Sequence, residues 1–195
     1  MQLYRVFLAL VLLAVCANAQ EERTQITAGA QRDVDPMISP DGNSVVFASN
    51  RTGHFNLFVF SYRDKGTLQL TNGNKDDRYP SWSSDGSRIV FGSDRTGKGD
   101  IYESKADGSS GFLQLTDQDL LEEYPNYTAD RKGLLYARAA KKGVLRREMQ
   151  VVLANSLPAA GNAVVLGEGD QPRWSPDGSK IVFVSHRTKN DDVWT

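Results

Sequence analysis

One segment of the chain is repeated. Pro172-Arg-Trp-Ser-Pro-Asp-Gly-Ser-Lys-Ile-Val-Phe183 recurs as Pro80-Ser-Trp-Ser-Ser-Asp-Gly-Ser-Arg-Ile-Val-Phe91 and as Pro36-Met-Ile-Ser-Pro-Asp-Gly-Asn-Ser-Val-Val-Phe47. Pro125-Asn-Tyr-Thr-Ala-Asp-Arg-Lys-Gly-Leu-Leu-Tyr136 is a weaker copy. The shared aspartates Asp41, Asp85, Asp130 and Asp177 follow one another after 44, 45 and 47 residues. A fixed period of that length means that one supersecondary unit is stacked several times.

Residues 79–116 show what the unit is. Ser81-Trp-Ser83 reads as a short first strand, followed by a tight turn at Ser84-Asp-Gly86. Its sister turns, Pro40-Asp-Gly42 and Pro176-Asp-Gly178, have proline to preset φ, aspartate to bond its own backbone and glycine for the left-handed position. Ile89-Val-Phe91 is apolar on successive residues, as in a strand covered on both faces. A second turn, Ser93-Asp-Arg-Thr-Gly97, is echoed by Ser49-Asn-Arg-Thr-Gly53 and Ser185-His-Arg-Thr188. Third strands begin at Asn56, Asp100 and Asp192, and Phe112–Thr116 makes an outer strand. Four short strands per repeat predict an all-β propeller of four-stranded antiparallel blades, with repeats near 36–71, 80–116, 125–166 and 172–195. Stacking in that manner buries Trp82 and Trp174 between blades, with Ile38 and Tyr127 at the equivalent places.

The two ends carry further expectations. Residues 1–19 pair a short apolar run, Val6 to Val15, with small residues at Ala17-Asn-Ala19. The run is shorter than the roughly 20 residues a membrane span requires, so it predicts a cleaved secretory leader and an exported protein without a span. Leu13-Ala-Val-Cys16 loosely resembles a bacterial lipobox, which makes a lipoprotein anchored at Cys16 the lesser alternative. Cys16 is the one cysteine, so the mature chain folds without disulfides. Thr24-Gln-Ile-Thr27 matches Leu68-Gln-Leu-Thr71 and Leu113-Gln-Leu-Thr116, which predicts an outer strand donated to a closing blade. The fourth repeat stops at Thr195 inside its third strand, which predicts an incomplete, open ring with Val46, Ile181 and Phe183 exposed on its end faces.

Chemistry is sparse. With 23 Lys+Arg against 24 Asp+Glu, the chain lacks the basic excess of nucleic-acid binders. His54 and His186 sit at turns without a second histidine at ligand spacing. No nucleophile elbow or phosphate-binding glycine loop occurs, so the sequence predicts no catalytic residue, metal or cofactor. Arg51, Arg95 and Arg187 recur at one turn, and Asp41, Asp85 and Asp177 at the other, which suggests one structural ion pair per blade. Lys141, Lys142, Arg146 and Arg147 form the basic cluster, which a solvated hairpin accounts for. The loops ahead of each repeat carry acids, among them Asp33, Asp77, Glu122 and Asp170. In a propeller these loops gather at one end of the channel, either as ordinary polar loops or as an acidic mouth for a partner.

The Pro-x-Trp-Ser-Pro-Asp-Gly, Ile-Val-Phe, Ser-x-Arg-Thr-Gly and Gln-Leu-Thr segments resemble the TolB-type, WD-repeat-like β-propeller family over residues 24–195. The resemblance implies an exported propeller that binds other proteins of the cell envelope and is not an enzyme. It also implies an alternative, because related propellers serve as domains of prolyl-oligopeptidase-like hydrolases and of some oligogalacturonide (polysaccharide) lyases.

Overall fold

A computed structural model describes residues 24–143, 148–159 and 163–195. The leader, Cys16, Arg146 and Arg147 lie outside the described residues. Four antiparallel sheets follow one another along the chain as a four-bladed propeller. The first comprises β1 (Asp33–Ile38), β2 (Ser44–Ser49), β3 (Asn56–Ser61) and β4 (Thr67–Gln69). The second comprises β5 (Asp77–Trp82), β6 (Arg88–Ser93), β7 (Asp100–Lys105) and β8 (Leu113–Gln114). The third comprises β9 (Glu122–Tyr127), β10 (Leu134–Ala139), β11 (Met149–Ala154) and β12 (Ala163–Glu168). The fourth has three strands, β13 (Asp170–Trp174), β14 (Ile181–Ser185) and β15 (Asp192–Trp194).

Each sheet keeps its strands in chain order, so every connection is a hairpin and no strand crosses another. The first strands pack on one another, β1 on β5, β5 on β9 and β9 on β13, and so form the inner wall. Both faces of the second strands β2, β6 and β10 are covered, as their continuous apolar sequence requires, whereas β14 is only half-buried. Ile89, Phe91, Val46 and Leu57 fill the junction between blades 1 and 2, while Val90, Ile101, Leu134, Tyr136 and Val152 fill the next.

The Gln-Leu-Thr motif has a specific use. Leu70 and Leu115 reach over to the following blade's core, and the hydroxyls of Thr71 and Thr116 each accept the amide of Leu57 or Ile101 at 2.8 Å. The outer strands β4 and β8 are therefore only three and two residues long, with the threonine side chain continuing the ladder. Thr24–Thr27 departs from its expected role. It forms no strand and joins no sheet, but Ile26 packs on Val45, Phe47, Phe58 and Phe60 of blade 1. The side-chain contact of the motif is made, while the backbone pairing is not.

Burial at the blade faces also differs from expectation. Tyr127 is buried, Trp82 and Trp174 are half-buried, and Ile38 is 58% exposed. This position packs against the preceding blade, as the Trp82 indole shows by donating to the Met37 carbonyl at 3.0 Å. Among the described residues no sheet precedes β1 for Ile38 to meet. Val46 is fully buried rather than exposed, because its face meets blade 2. Ile181 and Phe183 are half-buried, and the exposed apolar side chains include Val182 and Val193 on blade 4 and Val164, Val165 and Leu166 on β12.

Candidate functional site

At one end of the blades lie the Ser-x-Asp-Gly turns between first and second strands. Asp41 accepts the Ser39 hydroxyl at 2.6 Å and the Asn43 amide at 3.0 Å, and Asp85 accepts Ser83 at 2.7 Å and the Ser87 amide at 3.0 Å. Asp177 repeats this with Ser175 and Ser179. Those hydrogen bonds, the serine or backbone ones first, hold Asp41 and Asp177 at about 2 and move Asp85 down further. Gly42, Gly86 and Gly178 occupy the next position at φ 74°, 71° and 69°, where an L side chain is strained. The repeated aspartates are braces of a turn.

They do not pair with the repeated arginines, which point to the other end. There Arg51 meets Asp33 at 3.2 Å and Arg95 meets Asp77 at 3.0 Å, each across its own sheet. Both guanidiniums also donate to a serine, Ser49 or Ser93, at 2.9 Å, and Arg95 lies over the Tyr102 and Phe112 rings. Arg187 keeps the serine contact, to Ser185 at 3.2 Å, and lies over Trp194. Its acid position holds Gly169, so this arginine relies on hydroxyl and rings. Asp77 is nearly sealed from solvent whereas Asp33 is not, so Arg95→Ala strands a buried carboxylate. A loss of about 2 kcal/mol is expected for it, and distinctly less for Arg51→Ala, in urea unfolding at pH 7.

The acids ahead of the repeats are thus strand residues rather than loop residues, and they are largely spoken for. Asp33 and Asp77 hold arginines, and Asp170 is buried at the head of β13. Glu122, at the Asp77 position of blade 3, is fully buried with neither carboxyl oxygen in a hydrogen bond among the described residues. Burial raises its pKa to about 7, and the nearby Asp100 carboxylate adds to the rise. Arg138 opposes it, as does Thr116, which stands close enough to favour the ionised form without the geometry of a formed bond. In blade 1 the place of Asp100 is taken by Asn56, whose amide is bonded to Thr52, His54 and Gly73. The second blade junction therefore holds two carboxyls where the first holds one.

The inner strands carry a feature that the repeats alone did not disclose. Each is bulged, and the residue before its proline adopts a left-handed φ: Asp35 at 53°, Tyr79 at 55°, Tyr124 at 55° and Gln171 at 52°. Four strained non-glycine residues in register mark an element that the surrounding packing over-determines. The bulges turn this set together. Arg78 donates to Asp35 at 2.7 Å across the first junction and lies 4.4 Å from the centre of the Phe55 ring. Tyr79 and Tyr124 stack with centroids 4.0 Å apart across the second. Arg173, its charge disfavoured by burial and favoured by Tyr124 and Asp35, completes the group from blade 4. A cavity of about 240 Å³ opens beside it, lined by Asp76, Arg78, Asp94 and Glu123. The sequence signal was present as the residue preceding each proline, yet the bulge that gives it meaning depends on strand register.

The remaining candidates are ordinary. His54 and His186 each face one carboxylate, Asp76 at 3.4 Å and Asp191 at 2.5 Å. No group of three or more ligating side chains suited to a metal occurs among the described residues. Lys141 and Lys142 pair with Glu148 and Asp119. Asn126 is buried and donates to the Tyr124 and Pro172 carbonyls. No described helix is long and apolar enough to cross a membrane.

Among solved structures the chain is similar to TolB from Acinetobacter baumannii, with TM-score 0.71 and 21% identity, covering 90% of this chain and 43% of that one. It is also similar to oligogalacturonate lyase from Vibrio parahaemolyticus, with TM-score 0.62, 13% identity and coverage of 83% and 49%. A puromycin-hydrolyzing peptidase of Mycobacterium tuberculosis gives TM-score 0.59, 16% identity and coverage of 87% and 29%. The chain therefore spans less than half the length of each of these proteins, and at such identities the likeness is one of fold. No curated protein matches its sequence. The family described as TolB beta propeller domain matches residues 12–195. With nearly its whole length accounted for in this way, the chain belongs to the TolB beta-propeller domain family.

Proposed function

We infer that the chain is an exported, non-catalytic protein-interaction module whose partner is a protein of the cell envelope. The observation that carries this reading is the channel-end group formed by the four bulges. Tyrosine and arginine are the residues on which protein interfaces concentrate their energy. Here the buried Tyr79–Tyr124 stack makes a rigid floor under the half-exposed Asp35–Arg78 pair and the exposed Gln171. The leader-like residues 1–19 support export. A photo-cross-linking residue placed at Gln171 should give a defined adduct with an envelope protein in the source cell, and the same residue at exposed Asp64 should not. Equal labelling from both positions would remove the docking surface.

A second reading is the propeller portion of a larger secreted hydrolase or polysaccharide lyase, which the fold likeness to the lyase and the peptidase favours. Turnover of oligogalacturonides or of peptides by the full-length protein, with none by the propeller alone, would decide for it.

A further inference from the structure

The Ser-x-Asp-Gly turns line three successive grooves between blades, on the face opposite the channel-end group. In the middle groove the third repeat has Arg131 where its sisters have Gly86 and Gly178. Arg131 keeps the left-handed backbone of those glycines, with φ 59°, and its amide bonds Thr128 as theirs bond Ser83 and Ser175. Its guanidinium crosses the junction to the Asp85 carboxylate of blade 2. Tyr127 stands at the position of Trp82 and Trp174, so this groove contains a carboxylate, an aromatic ring and a guanidinium supplied in cis.

The outer two grooves have the first two components and lack the third. Between blades 3 and 4 a groove of about 360 Å³ is lined by Thr128, Asp130, Leu153, Asn155, Trp174 and Gly178. Asp130 Oδ1 accepts Thr128 at 2.6 Å and the Lys132 amide at 3.0 Å, while Oδ2 accepts no hydrogen bond among the described residues. Asp85 uses this same oxygen for Arg131. A Cβ at Gly178 would meet nothing within 4 Å. Between blades 1 and 2 a groove of about 530 Å³ holds Asp41, Trp82 and Gly86, and a Cβ at Gly86 would point to Pro40 at 3.8 Å.

We propose that these two grooves, and the Asp130–Trp174 groove first, bind arginine side chains of a partner protein in the manner in which the middle groove binds its own Arg131. A planar guanidinium can hydrogen-bond a carboxylate edge-on while stacking on an aromatic face, which a compact ammonium does less well. The site lies on the opposite face from the channel-end group, so it holds or fails independently of the interaction reading above.

The test uses the full chain labelled with ¹⁵N and the peptide acetyl-Gly-Arg-Gly-amide, with the citrulline and lysine peptides as controls. The arginine peptide should shift the Trp174 indole signal, the citrulline peptide should not, and the lysine peptide should bind more weakly. Asp130→Asn should weaken binding at Trp174 about fivefold or more, equivalent to about 1 kcal/mol, and leave the Trp82 response intact. Gly178→Arg should fill the groove in cis and abolish the Trp174 response; if that variant does not fold, Asp130→Asn decides alone. Citrulline binding as well as arginine, lysine binding equally well, or an unchanged affinity in Asp130→Asn would each overturn the assignment.

Discussion

Phe91→Ala is expected to lower stability by about 3–5 kcal/mol, the range for a large aromatic removed from a closed core. Phe91 is 0% exposed and packs with Val46 and Leu57 of the preceding blade as well as Tyr102 of its own. Its ring also meets Phe112 edge-on, and Arg95 lies over it. Truncation would leave a void bounded by two sheets, neither of which can close it alone. The equivalent Phe183 of blade 4 is half-buried, so Phe183→Ala should lose less than half as much. Ile38→Ala, at the exposed first-blade position, should stay under about 1 kcal/mol. Urea unfolding of the three variants at pH 7 checks the order. Equal losses for Phe91 and Phe183 would contradict the burial difference between the second and fourth blades.

The other large effect is pH-dependent and belongs to Glu122. Its folded pKa of about 7 lies above the ordinary 4.5, so the folded chain holds a proton that the unfolded chain has already released. Stability from this group is fully present below about 4.5, declines as pH rises to about 7, and is level beyond. The loss across that window is about 3 kcal/mol, because each step of one in pH between the two values costs about 1.36 kcal/mol. Glu122→Gln keeps the shape without the charge. It should match the parent near pH 4.5, exceed it by about 2–3 kcal/mol at pH 8, and show a distinctly shallower slope between. The turn aspartates titrate in the opposite sense and at lower pH, since their folded values lie below the ordinary 3.8. Parallel pH profiles for parent and Glu122→Gln would show that the carboxyl is better solvated than its surroundings indicate.

Much of this architecture is legible in the residues because the determinants are local. A turn built on Asp85-Gly86 needs only neighbours two positions away, and continuous Ile89-Val-Phe91 announces a strand covered on both faces. What sequence spacing does not specify is the partner across a sheet. Arg95 has acids at both ends of its blade, and only the register that sets Asp77 opposite Ser93 decides between Asp77 and Asp85. The same register converts the supposed loops before each proline into the heads of inner strands. Tyr79 and Tyr124 are alike, but Asp35 and Gln171 share no chemistry with them or with each other, so residue type alone does not group the four. They are equivalent through a backbone bulge, and that equivalence gathers the candidate site. The Thr24–Thr27 motif was legible for its side chain and not for its hydrogen bonds, because the packing of Ile26 is satisfied on blade 1 without a sheet to join.

The uneven lengths of the outer strands bear on how the protein fails as well as on how it folds. β4 and β8 offer a passing chain three and two residues of unpaired backbone, too little to template a new strand. β12 offers six, reading Ala-Val-Val-Leu-Gly-Glu, without proline and with one charge, and its valines and leucine lie open to solvent. A long, exposed apolar edge with those properties is the sort that recruits copies of itself into fibrils. Self-assembly at high concentration is therefore expected to start at the rim of the third blade, the repeat that has drifted furthest from its sisters.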